Sequence, residues 1–234
     1  MRLFLTPNTA VILLSSMFAW YILIFLGDHG EHIAHHTEAL PRQEIEFLSF
    51  MLMIVAMMWP TQLKEVTYIY THSNLEVRLF SSLLYIVAYT IVWSAIGYAA
   101  LAGLGMLLPL FSNNIGPWLF LLAIAMWQCS PTKQRLRNAC HKHRPLTGGH
   151  WKRYFTPMIF GSEQCLVCIG SCLPLMFLPY VFSEIHTQVM IFVFVFMLLE
   201  SFENPDREVW SIKLPLRFIR MLHHRLKLPF ANWI

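Results

Sequence analysis

Six long apolar segments, separated by short polar stretches, constrain what this chain can fold into. They cover residues 9–26, 46–63, 79–100, 114–129, 158–182 and 185–202. A helix needs about 20 apolar residues to cross a hydrocarbon core about 30 Å thick. The pattern therefore predicts an all-α, polytopic membrane helix bundle with about six transmembrane helices in residues 1–210, followed by a basic amphipathic tail at 211–234.

The composition agrees with a membrane protein. Hydrophobic residues make up 56% of the chain and charged residues 13%, whereas a soluble globular chain carries about a quarter charged residues. These values exclude a water-soluble enzyme domain, a disordered chain and a small disulfide scaffold. Basic loops on the cytoplasmic side explain the net charge of +4, so we expect no nucleic acid partner.

The distribution of basic residues predicts the orientation. Six crossings place both termini on the same side, and of the 17 Lys and Arg residues only Arg42 then lies on the other side. Because Lys and Arg accumulate on the cytoplasmic side, we expect both termini in the cytoplasm and the chain in the bacterial inner membrane. The basic tail is expected to lie along the anionic lipid surface, with a solvated tail as the alternative.

One stripe of the fifth segment carries four sulfur side chains, those of Cys165, Cys168, Cys172 and Met176. At about 100° per residue, their spacing places all four within a sector of about 80°. Thiolate and thioether donors suit soft ions, above all Cu(I), with zinc and iron as alternatives. Helix packing is the other explanation, since small cysteines are common between membrane helices.

Methionines are concentrated in the second segment, where four of the 13 fall within residues 51–58. Successive helices run in opposite directions, so Met57 and Met58 are expected at a depth similar to that of Cys165 and Cys168. This placement predicts a shared copper site. Methionine is also a flexible packing residue, and packing alone would explain the cluster.

The basic segment after Cys129 carries a C-x-x-H spacing at Cys140 and His143. This spacing is typical of half of a transition-metal site, and nearby basic residues stabilise thiolates. We predict that the pair lies at the cytoplasmic mouth of the sulfur site. A solvated basic loop is the alternative.

A histidine cluster lies between the first two segments and comprises His29, His32, His35 and His36. Neutral imidazoles near carboxylates suit Cu(II) and Zn(II), so we predict an outer capture site, with a solvated polar loop as the alternative. The string H-x-x-H-H beginning at His32 also occurs in membrane di-iron oxygenases. Those enzymes need further histidine boxes on the same side, whereas most of the remaining histidines here are expected inside.

Four motifs in one order carry a family resemblance. They are Ala56-Met57-Met58-Trp59-Pro60, similar to A-M-M-x-P; residues 89–97, similar to a Y-x-x-V-W helix; Trp127-Gln128-x-x-Pro131-x-Lys133; and Cys168-Ile-Gly170-Ser171-Cys172. Over about residues 50–180 the chain resembles a bacterial family of predicted metal-binding integral membrane proteins of unknown function. Its paired cysteines become Ser171 and Cys172 here. The resemblance implies metal binding but no reaction.

Three functions follow, and none has an assigned catalytic residue, since the sequence contains no Walker loop, nucleophile elbow or G-x-G-x-x-G motif. The first is an integral membrane protein that binds a soft transition metal, copper, for metal handling or delivery to a membrane metalloenzyme. The second is a non-catalytic accessory subunit of a larger membrane complex, with lipid and other membrane subunits as partners. The third is a His-box di-iron membrane oxygenase.

Overall fold

Helices form every regular element in the part of the chain that the structure describes, which confirms the all-α prediction. This computed structural model describes residues 7–34, 42–107, 115–142, 152–205 and 207–210, with side chains at 7–25, 47–103, 115–142, 154–182, 184–205 and 207–210. The helices are α1 (Pro7–Ala34), α2 (Arg42–Met53), α3 (Leu63–His72), α4 (Arg78–Leu107), α5 (Gly116–Cys129), α6 (Pro131–Cys140), α7 (Lys152–Met176), α8 (Leu178–Val181) and α9 (His186–Ser201).

Four helical segments are long and apolar enough to cross a membrane: Pro7–Phe25, Phe47–His72, Arg78–Gly103 and Tyr154–Val181. They correspond to the first, second, third and fifth predicted segments. The fourth and sixth are also apolar helices, but α5 has 14 residues and α9 has 16. At 1.5 Å per residue these helices are about 21 and 24 Å long, shorter than a hydrocarbon core. The six-span count and the orientation stay predictions.

A π-helical turn at Ile54–Met58 joins α2 to a 3-10 turn at Pro60–Gln62, which leads into α3. Its cause is Pro60, which has no N–H to donate to the carbonyl of Ala56 one turn earlier. That carbonyl instead accepts hydrogen bonds from the Ser16 hydroxyl at 2.8 Å and the Trp20 indole N–H at 3.0 Å. The turn is thereby fixed against α1.

The most extensive helix contact in the described residues is between α4 and α7. Tyr85, Tyr89 and Trp93 recur every four residues on α4 and are fully buried, as expected for one helix face. Gly161 on α7 allows the close approach, because a Cβ atom there would lie 2.5 Å from the Tyr85 carbonyl oxygen. This interface fixes α7 relative to the rest of the bundle.

Part of the segment that the sequence assigns to a basic inner loop is the helix α6. Pro131 occupies its first turn, and the Ser130 hydroxyl caps it by accepting the backbone N–H of Lys133 at 3.1 Å. The helix packs on α7, where a Cβ atom on Gly170 would lie 2.8 Å from Leu136. A polar helix is therefore ordered against the apolar bundle.

Candidate metal centre

Two sulfur atoms meet where α7 contacts the π-helical turn. The Cys168 Sγ lies 3.8 Å from the Met58 Sδ, and both side chains are buried. The turn is what directs Met58 toward α7, since it interrupts the regular helix at the residues that carry the thioethers. This contact brings together residues from the second and fifth predicted segments, as the sequence suggested.

Cys172 extends the pair to three sulfur side chains. It lies one helical turn after Cys168, and the two thiols interact with each other. The Ser171 hydroxyl lies 3.3 Å from the Cys172 Sγ and donates to the Cys168 carbonyl oxygen at 3.0 Å. Met58, Cys168 and Cys172 are called the sulfur site below.

A chain of hydrogen bonds orients the central thiol. The Tyr89 hydroxyl donates to the Cys168 Sγ at 3.1 Å, and the Gln62 amide donates to the Tyr89 hydroxyl at 3.4 Å. The Tyr85 hydroxyl donates to the other end of the Gln62 amide at 2.7 Å. Such partners orient ligands and tune their affinity for metal. Sequence reasoning missed this chain because its members lie on three separate helical segments.

A cavity of about 80 Å³ adjoins the sulfur site, enough for a few water molecules. Cys168 and Cys172 form part of its wall. Its other walls carry polar and charged side chains, among them Lys64, Glu65, Lys133, Arg137, Cys140 and Glu200. The thiols therefore face a cavity whose wall carries several ionisable side chains.

Cys140 lies on the same cavity wall, next to His141. Burial raises the pKa of the Cys140 thiol well above its usual range, and the nearby Cys172 thiol and two carboxyl groups act in the same direction. The thiol is therefore protonated at neutral pH, and a metal ion must displace that proton to bind. The sequence predicts His143 as the partner of Cys140, but His143 lies outside the described residues. The histidine that lines the cavity beside Cys140 is His141.

A buried ionic cluster forms another wall of the cavity. The Lys133 ammonium lies 2.7 Å from a Glu200 carboxylate oxygen and also bonds the Gln128 amide oxygen, and Arg137 lies 3.6 Å from the same carboxylate. Gln128 and Lys133 belong to one motif, and their hydrogen bond explains its spacing. Glu200 had no role assigned from the sequence, because its partners lie more than 60 residues away.

The remaining predicted sulfur ligands lie in the hydrophobic core. Met57, Cys165 and Met176 are fully buried among apolar side chains rather than on the cavity wall. The structure thus divides the predicted stripe, with Cys168 and Cys172 at the cavity and Cys165 and Met176 within the core. Their role as ligands stays a prediction.

The predicted outer histidine cluster lies largely outside the described residues. His29 and His32 belong to the backbone of α1, but their side chains are not among those described, and His35 and His36 are outside the described residues altogether. The basic tail at 211–234 is outside them as well. The capture site stays a prediction.

The donors of the sulfur site suit a soft ion. Within the described ranges, no group of three or more His, Cys, Asp or Glu side chains is arranged to hold a metal ion. The sulfur site instead combines two thiols with a thioether, and this donor set suits Cu(I), which is satisfied by few, soft ligands. The residues present therefore fit copper.

Comparison with known proteins agrees with this chemistry. No curated protein and no solved structure matches the chain. The profile of the PpoB2 family, which is described as a copper chaperone, matches residues 47–215, a range that contains the sulfur site and the cavity. This match supports copper handling and is consistent with the metal-related family that the motifs resemble. Because it covers well over half of the sequence, the chain belongs to the PpoB2 copper chaperone family.

Proposed function

We propose that the protein is an integral membrane chaperone of the bacterial inner membrane that holds Cu(I) at the sulfur site and delivers it to a membrane metalloenzyme. The observation that carries this proposal is the contact between Cys168 and Met58 at 3.8 Å, with Cys172 one turn away. Family membership supports copper as the cargo. Met57, Cys165 and Met176 lie in the same hydrophobic cluster as Met58 and Cys168.

Binding is a ligand exchange that releases protons. Cu(I) replaces the protons of Cys168 and Cys172, forming two copper–sulfur bonds, and Met58 supplies a weaker thioether contact. The displaced protons leave through the adjoining cavity, whose wall carries ionisable side chains. A weak third ligand suits a carrier, because copper must be released again to a partner.

Cys140 offers the next ligand along the release route. Its thiol shares the cavity with Cys168 and Cys172, so copper can move to it by exchanging one sulfur ligand at a time. Cys140 and His143 then form the cytoplasmic mouth of the route. The histidines at 29, 32, 35 and 36 form an outer site that captures Cu(II) or Zn(II) on the opposite face.

The outer surface of the bundle supports a lipid environment. Large apolar side chains on α1 remain exposed, among them Leu14, Met17 and Phe18. With both termini in the cytoplasm, the cavity opens on the basic, inner side. The same exposed faces also suit lateral contacts with the subunits of the metalloenzyme that receives copper.

Metal binding by the full-length protein, purified in detergent, tests the proposal. Competition with a chromophoric Cu(I) chelator should show near-stoichiometric Cu(I) binding, lost in the Cys168→Ser, Cys172→Ser double variant. Cys129→Ser is the matched control, since Cys129 ends α5 and does not line the cavity. Metal-free protein that purifies with fixed partner subunits would overturn copper binding and favour the accessory-subunit alternative.

A further inference from the structure

The ionic cluster beside the sulfur site contains one more positive than negative charge. Lys133 and Arg137 share the single carboxylate of Glu200, and the three side chains keep only 3%, 12% and 15% of their exposure. In the described part of the chain, the Arg137 Nε has no hydrogen-bond partner. Burying an excess cation is costly, so its retention here calls for an anion nearby.

The other ionisable side chains of the cavity wall leave this excess in place. Lys64 and Glu65 are adjacent and interact electrostatically. An ionised Glu65 cancels the charge of Lys64, whereas a protonated Glu65 leaves a larger excess of positive charge. His141 adds no charge in its neutral form, and the cysteine thiols add none while they are protonated. With the sulfur site empty of metal, the ionisable side chains of the wall therefore carry a net charge of at least about +1.

The sulfur site changes its charge when copper binds. Cu⁺ reacts with two thiols to give a bis-thiolate copper complex and two protons, so the complex carries a single negative charge. Zn²⁺ reacts with the same two thiols to give a neutral complex and two protons. Only the copper complex is an anion, and an anion is stabilised by a nearby cation in a medium of low dielectric constant.

We propose that the buried cluster of Lys133, Arg137 and Glu200 makes the site selective for Cu(I) over Zn(II) by balancing the charge of the bis-thiolate copper complex. This selectivity rests on the function proposed above. Lys133 and Glu200 both interact electrostatically with Cys172, so the cluster acts directly on a ligand. Lys133 is a specificity-determining residue that need not touch the metal.

Opposite substitutions in the cluster test this selectivity in the full-length protein. Cu(I) and Zn(II) affinities are measured separately in detergent for each variant. Lys133→Gln removes the excess cation and leaves Glu200 paired with Arg137, so the ratio of Cu(I) to Zn(II) affinity should fall about tenfold or more. Glu200→Gln removes the anion, so the same ratio should rise.

Arg135→Gln is the matched control, because Arg135 lies on the same helix but is exposed and paired with Glu208 at 3.0 Å. Its ratio should equal that of the wild type. If Lys133→Gln does not fold, the expected increase in the ratio of Cu(I) to Zn(II) affinity in Glu200→Gln tests the proposal by itself. If the wild type binds Cu(I) but no cluster variant changes the ratio of Cu(I) to Zn(II) affinity, the proposed selectivity is wrong and the proposed function stands. Wild-type protein that binds no Cu(I) overturns the proposed function itself.

Discussion

Sulfur side chains occupy two different surroundings in this bundle, although they come from the same two segments. Cys168 and Cys172 lie on a cavity with hydrogen-bond donors and charged side chains around them. Cys165 and Met176, on the same stripe of α7, lie in an apolar core. A thiol becomes a metal ligand by losing a proton, so we expect contact with the cavity to decide which of these cysteines binds copper.

Replacing one cysteine at the cavity and one in the apolar core should give the largest difference in copper affinity. Cys168→Ala removes a ligand, so Cu(I) affinity should fall by about 100-fold or more. Cys165→Ala removes buried contacts instead, so it should lower the free energy of unfolding by about 1 kcal/mol and change the affinity by less than about threefold. Chelator competition and thermal unfolding measure the two effects. Equal losses of affinity in both variants would show that the stripe acts as one site.

The contact between α4 and α7 holds the helix that carries the cysteines of both regions. Gly161→Ala should lower the free energy of unfolding by about 2 kcal/mol, because the added Cβ atom would lie 2.5 Å from the Tyr85 carbonyl oxygen. Gly103→Ala is the control on α4, where a Cβ atom has nothing within 4 Å, and it should stabilise the helix by about 1 kcal/mol. Thermal unfolding in detergent distinguishes them, and similar melting temperatures would contradict the close contact.

The hydrogen bond from Tyr89 links the two regions. Tyr89→Phe removes the donor to Cys168 and should weaken Cu(I) binding about tenfold, because a thiolate accepts this bond more strongly than a thiol does. Tyr98→Phe, on an exposed position of the same helix, should bind as the wild type does. An unchanged affinity in Tyr89→Phe would mean that the bond is broken when copper binds.

The smallest expected effect concerns Cys140 and pH. Its raised pKa keeps the folded thiol protonated at pH values where the unfolded thiol, with a pKa of about 8.5, has lost its proton. The free energy of unfolding therefore falls as the pH rises above about 8.5, and Cys140→Ser should reduce that slope. An unchanged slope in Cys140→Ser would contradict the raised pKa of this thiol.

Apolar length and periodicity predicted much of this architecture. They located the helices and placed Cys165, Cys168, Cys172 and Met176 on one stripe of α7, because such patterns depend on near neighbours in the chain. Met57 and Met58 were grouped with that stripe only through the expected depth of antiparallel helices, which cannot distinguish Met58 at the site from Met57 in the core. They did not predict α6, whose charge pattern is that of a solvated loop until Glu200, far along the chain, pairs with Lys133. Nor can a sequence pattern show that a freed carbonyl at Ala56 binds α1, since that contact depends on tertiary packing.

X-ray absorption at the copper edge of the loaded, full-length protein tests the central claim most directly. We expect Cu(I) with sulfur neighbours in the wild type, and a loss of sulfur neighbours in the Cys168→Ser, Cys172→Ser double variant. A first coordination shell made only of nitrogen and oxygen, unchanged in that variant, would contradict the sulfur site as the place where copper is held.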